Sequence, residues 1–194
     1  TSSLIGQAVN IRGIVTAGDD AFGSGNFYLH EGTGPFKGVK CYAPGYDGSI
    51  LEGDDVTICG QVTEYYNETE IYLHFPEALV VHSNGNPTYG YTEITTAQAN
   101  SLSVEAERYE GQLCEFNDVT VTYEPNTYGE WRVRDSSGED AWVGDYGFYY
   151  YQPEVLDSLS ELRGILMYSY SDYKLEPRSD DDIIGPPTVG TARY

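Results

Sequence analysis

Metal or nucleophilic chemistry in this 194-residue chain would have to start from three histidines, His30, His74 and His82, and three cysteines, Cys41, Cys59 and Cys114. Their spacing does not support it. No Cys-x-x-Cys or Cys/His cluster has zinc-site spacing. No serine sits in a nucleophile elbow with a partnered histidine, and no glycine-rich phosphate loop opens a helix. The chain is therefore read as a non-enzyme. Cys41 and Cys59 fall in one half and are the pair expected to form a disulfide; Cys114 reads as a small buried hydrophobe. Asp19-Asp20, Asp54-Asp55 and Asp180-Asp181-Asp182 are anionic runs without the alternating oxygen spacing of a calcium loop. No cofactor or metal site is assigned; calcium is the one ion the runs leave open. Asn67-Glu68-Thr69 is an N-x-T acceptor sequence at an expected hairpin tip, which makes Asn67 the candidate glycosylation site.

Residues 26–34, NFYLHEGTG, alternate Phe27 and Leu29 with Tyr28 and His30 and end at a glycine-rich turn. Such alternation reads as a half-buried strand. Residues 130–138, EWRVRDSSG, repeat the pattern, with Trp131 and Val133 in the inward places and Arg132 and Arg134 outward. Together with Lys40 and Tyr42 on the next strand, the outward set Tyr28, His30, Lys40, Tyr42, Arg132 and Arg134 forms a candidate ligand face. Aromatics mixed with cations suit single-stranded nucleic acid. Against that, the Arg132/Arg134 pair has Glu130 and Asp135 beside it to neutralise.

The elements that would carry these residues also come twice. In the first half, residues 7–16 form a strand bent at Gly13, residues 17–25 a loop, and residues 36–43 a third strand after the 26–34 stretch. Residues 44–53 hold at most one helical turn. Residues 54–64 form a strand bent at Gly60, and residues 65–68 a hairpin into a fifth strand over residues 69–75. Gly6-Gln7 recurs as Gly111-Gln112, Gly34 as Gly138 and Gly60 as Gly164, at offsets of about 104 residues, which marks a duplicated domain. Pro177 is matched to Pro76 at a smaller offset, implying a shortened last hairpin. Residues 95–108 are the helical candidate, capped by Thr95 or Thr96. Five strands with glycine bends in the first and fourth describe an all-β chain of two tandem five-stranded Greek-key barrels of OB-fold type. The expected division is barrel one over residues 1–84, linker and short helix over 85–110, barrel two over 111–184 and a tail over 185–194.

The run G-Q-x-V-x-I-x-G-I-V-T, then F-Y-L-x-E-G-T-G, G-D-D-V-T-I-x-G-x-V and P-R-S-x-D-D-I resembles the OB-fold modules of secreted bacterial multidomain and cell-surface proteins, the type found beside extracellular nuclease domains. The resemblance covers both halves. It implies an accessory module without catalytic residues of its own.

With 31 acidic against 10 basic residues, the net charge is −21. Such a surface repels phosphate backbones and anionic lipid. Nucleic acid is thus an unfavoured partner, while a glycan is left open. No apolar run suits membrane insertion. The opening Thr1-Ser2-Ser3 reads as an exported product whose leader has been removed, placing the chain outside the cell. Nineteen tyrosines supply contact surface. The first functional expectation is an extracellular, non-catalytic structural protein, a homo-oligomer or filament joined through Thr188, Val189, Ala192, Arg193 and Tyr194 of the tail and through tyrosine-rich faces. The alternative is an accessory module of a secreted enzyme such as a nuclease, binding carbohydrate or single-stranded nucleic acid.

Overall fold

The computed structural model describes residues 2–23 and 25–185. The first barrel is built from β1 (Ala8–Ala17), β2 (Asn26–His30), β3 (Gly38–Tyr42), β4 (Asp55–Tyr65) and β5 (Glu68–Tyr72). Their order is β1-β2-β3-β5-β4, and β4 pairs back onto β1 to close the ring. Only β3 and β5 run parallel in it. This is the OB-fold topology. A further strand, β6 (Leu79–Ser83), adds to β4 after a 3₁₀ turn at Pro76–Ala78.

After β7 (Thr92–Glu93), the second barrel repeats the plan with β8 (Leu113–Tyr123), β9 (Trp131–Arg134), β10 (Asp140–Val143), β11 (Ser158–Ser169) and β12 (Asp172–Glu176). Here β10 and β12 are the parallel pair, β11 closes on β8, and β13 (Ile183–Ile184) lines the outside of β11. The inward pairs Phe27/Leu29 and Trp131/Val133 are all buried in their barrel cores, as period-two alternation requires. A Cβ on Gly60 would stand 2.6 Å from Ile71 Cγ2 and 2.8 Å from Tyr72 O; Gly164 meets the backbone of Glu176 in the same way. At these bends the neighbouring strand crosses where a side chain would be, so glycine is required.

Three sequence expectations change. The helix over 95–108 is only α2 (Thr96–Ala99) plus a 3₁₀ turn at Ala106–Tyr109; α1 here denotes the four-residue helix Asp19–Phe22 in the expected loop. Thr95 does cap α2, in a capping box with Gln98. The helix stops because Asn100 turns extended and its side chain takes Leu102 N and donates to Asp140 O. Leu102 and Val104 then point to solvent and offer no stripe to bury. Second, the last hairpin is not shortened. Both hairpins turn on two left-handed residues, Tyr66-Asn67 and Tyr170-Ser171 (φ 50° and 72° in each). Leu79 pairs with Ile58 as Ile183 pairs with Leu162, so the 3₁₀ turn Pro76–Ala78 corresponds to Asp180–Asp182. Pro177 is not the counterpart of Pro76.

Third, the outward face of β2 is not open, because barrel two covers it. Ala17, Ala21, Phe22 and Tyr28 pack with Leu113, Ile165 and Met167 in a shared apolar cluster. His30 is buried there, and its Nε2 accepts from Leu113 N at 2.8 Å. Burial pulls its pKa down to about 4, which keeps the imidazole neutral and able to accept. Arg178 bridges the barrels, donating to Thr16 O at 2.8 Å and pairing with Glu52 at 3.0 Å while Asp182 holds it from its own side. Phe36 N to Arg108 O, Gly34 N to Thr92 Oγ1 and Thr69 N to Glu110 Oε1 complete the seam.

Candidate ligand-binding cleft

Beside this seam the two barrels leave a cleft of about 660 Å³, walled by β2, β3 and the β4–β5 hairpin on one side and by the β11–β12 hairpin and the segment after β10 on the other. Tyrosines dominate its rim. Tyr66 and Tyr170 stand at the two hairpin tips and are largely exposed, 78% and 92%. The left-handed turn that places them is the tight two-residue hairpin connection. Tyr65 meets Tyr66 edge to face, with ring centres 4.7 Å apart. Tyr146 lies across the cleft, its ring stacked on Phe22 of α1 at 5.6 Å.

Charged groups line the floor in matched arrangements. On barrel one, Lys40 Nζ donates to Glu68 Oε2 at 2.6 Å and lies 3.6 Å from Glu70, while the Tyr28 hydroxyl donates to Glu68 Oε1 at 3.2 Å. Burial alone would lower the Lys40 pKa, but Glu68 and Glu70 outweigh it and hold the ammonium charged. On barrel two, Lys174 Nζ donates to Glu130 Oε1 at 2.5 Å, and Asn126 takes the other oxygen. The two ammoniums also face tyrosine rings, Lys40 over Tyr65 at 5.2 Å and Lys174 over Tyr170 at 5.3 Å.

Glu176 ends β12 and is 4% exposed. Its Oε2 accepts from Tyr146 N at 3.0 Å; its Oε1 has no hydrogen-bond partner among the described residues. The carboxyl group occupies the place a Cβ would take on Gly144, so only glycine there admits it. Tyr149 fixes that turn by donating to Gly144 O at 2.6 Å. Burial pushes Glu176 up to about 8.

The sequence-assigned face is divided by the fold. Tyr28 and Lys40 do line the cleft. His30 is in the seam. Tyr42 packs outside against Tyr72, ring centres 5.8 Å apart. Arg132 lies 3.8 Å over the Trp142 ring on the outer wall of barrel two, and Arg134 Nε donates to Asp140 at 2.9 Å. The expected neutralising partners are otherwise engaged: Glu130 by Lys174, Asp135 by Thr96. Asn67 is at the exposed hairpin tip on the cleft rim.

The expected Cys41–Cys59 disulfide is corrected: all three cysteines are free. Cys41 points into the barrel core, whereas Cys59 sits at an outward position of β4 and is exposed, so the barrel wall separates them. His74 and His82 contact Gln61 and Thr57 respectively, far from any shared site with His30. Carboxylates of the acidic runs hold backbone instead: Asp19 takes Gly25 N and Ile50 N, Asp54 takes Leu51 N, and Asp180 takes Tyr150 N and Tyr151 N. Among the described residues no group of three or more His, Cys, Asp and Glu is placed to hold a metal ion. The tail residues Thr188, Val189, Ala192, Arg193 and Tyr194 lie outside the described residues.

Tyr66, Tyr146, Tyr170, Lys174, Glu130 and Glu176 were not among the assigned residues. One signal was available. Held at a constant offset through the last hairpin, the repeat puts Tyr170 on Tyr66, a tyrosine at the same turn position in both halves.

No family model matches the chain. It is 31% identical over 114 residues to the endonuclease YhcR of Bacillus subtilis (strain 168), a match covering 56% of this chain and 9% of that protein. The chain therefore corresponds to a small part of that relative.

Proposed function

We propose that the chain is a non-catalytic accessory module of a secreted enzyme, and that it binds carbohydrate in the cleft between its two barrels. The cleft carries this reading: its volume lies within the range of small-ligand sites, and exposed tyrosine faces flank polar groups that are already positioned. Glu68 and Glu130 are tied to lysines, as befits a scaffold for recognition rather than a working acid–base pair. Similarity to a segment of an endonuclease supports the accessory role. The lysines of the cleft are both neutralised and the chain is strongly acidic, which sets a saccharide ahead of a phosphate backbone.

Calorimetric titration with a panel of neutral and amino oligosaccharides, alongside single-stranded DNA at low salt, tests it. Saccharide binding that falls at least about tenfold in a Tyr66→Ala/Tyr170→Ala variant supports the proposal, since one stacking contact is worth on the order of a tenfold change. Binding of DNA alone, or saccharide binding indifferent to both tyrosines, contradicts it.

A further inference from the structure

The chemistry of the cleft also specifies the charge of its ligand. Both ammonium groups in the lining are occupied, Lys40 by Glu68 and Lys174 by Glu130. Two carboxyl groups are not. Glu176 presents an oxygen without a partner among the described residues, although the residue is more than nine-tenths buried. Asp145, one residue beyond the glycine that admits Glu176, is exposed and accepts no hydrogen bond among the described residues. Its carboxylate lies over Gly129, another position where a Cβ would collide.

The floor of the cleft thus keeps a free oxygen at Glu176 and negative charge at Asp145, with tyrosine faces above. Tyr65 and Tyr170 already face ammonium groups at 5.2 and 5.3 Å. A ring face and a carboxylate together attract a cation more strongly than either does alone. An anionic ligand would meet the Asp145 carboxylate, with no unpaired cation among the described lining residues to offset it. A neutral sugar would fit the tyrosines but leave the Asp145 carboxylate without an ionic partner.

Resting on the carbohydrate reading above, we infer that the ligand is an amine-bearing saccharide, a glucosamine-type unit whose ammonium group lies between Asp145 and Glu176 while its ring faces pack on the tyrosines at the hairpin tips. Acetylating the amine removes the charge and two of its three donors while keeping the sugar ring, so the acetylated sugar separates charge recognition from ring recognition.

The experiment titrates the intact chain with glucosamine trimer, N-acetylglucosamine trimer and a lysine oligomer of equal charge to the first. It is repeated for Asp145→Asn, Glu176→Gln and Tyr66→Ala/Tyr170→Ala, each checked by circular dichroism for an unchanged fold. Preference for the glucosamine trimer by about tenfold or more, weakened several-fold by either carboxyl variant and by added salt, supports the inference. Asp145→Asn changes an exposed side chain, so it stays informative if Glu176→Gln perturbs the barrel. Equal binding of the acetylated trimer overturns the charge assignment and leaves the carbohydrate reading standing. Failure of both trimers overturns both. Lysine-oligomer binding as tight as that of the glucosamine trimer and indifferent to the tyrosine variant overturns the inference in favour of general attraction to an acidic surface.

Discussion

Glu176 is the residue whose environment departs furthest from what its place in the chain suggests. In the sequence it is one of 31 acidic residues near a proline; in the fold it is buried at a strand end against Gly144. Burial holds its proton up to about pH 8, whereas the unfolded chain releases it near the ordinary value of 4.5. Stability from this group is full below pH 4.5 and is lost as pH rises through 8. Glu110, pushed up to about 7 by burial, acts in the same direction. His30 opposes them: the unfolded chain takes up its proton below about 6.5 and the folded protein only near 4, so stability falls as pH drops through that window. Urea unfolding of Glu176→Gln should show a flatter pH dependence between 5 and 9, with roughly 4 kcal/mol less lost on the alkaline side; an unchanged slope would mean that Glu176 is hydrated. The cysteines give a second test at this scale. Titration with a thiol reagent should label one thiol per folded chain, at Cys59, and three after unfolding. Burial raises the pKa of both Cys41 and Cys114 well above the usual thiol range.

At the scale of elements, the glycine bends carry the barrel. Gly60→Ala would drive a methyl into Ile71 and the backbone of Tyr72. It should cost about 1–3 kcal/mol in chemical denaturation, as overpacking does; a neutral result would show that the strand relaxes freely. These bends were readable in the sequence because Gly60 and Gly164 recur on one offset within alternating strands. So were the inward pairs, since period-two alternation needs no partner to be recognised. The helix expected over 95–108 breaks off because Asn100 captures backbone groups locally, a contest that propensity does not decide. The site was legible only in part. Tyr28 and Lys40 follow from strand alternation alone, but His30 depends on which wall the second barrel covers. Glu176 and Tyr146 become neighbours only through the parallel β10–β12 pairing, which joins segments far apart in the chain.

At the scale of the whole molecule, each barrel keeps its own core and a third apolar cluster joins the two. Tyr28, Phe22, Leu113 and Met167 bury one another across the seam, and the side chains of Arg178 and His30 each bond a backbone group of the other barrel, more than eighty residues away in the chain. Thermal unfolding followed by calorimetry should therefore show a single transition. Arg178→Ala should destabilise the chain by about 3 kcal/mol, because Asp182 is left buried without its partner. Two well-separated transitions in the unmodified protein would mean that the barrels fold independently. The cleft exists only because the seam holds the two hairpin tips opposite one another, so rigidity of the seam and binding in the cleft are linked. The most direct test of that cleft as the ligand site is amide chemical-shift mapping by NMR during parallel titrations with glucosamine trimer and N-acetylglucosamine trimer. Shifts are expected to concentrate at Tyr66, Asn67, Tyr170, Ser171, Asp145 and Tyr146; shifts centred on Arg132, Arg134 and Trp142 of the outer wall, or none with either sugar, would contradict the cleft as the site.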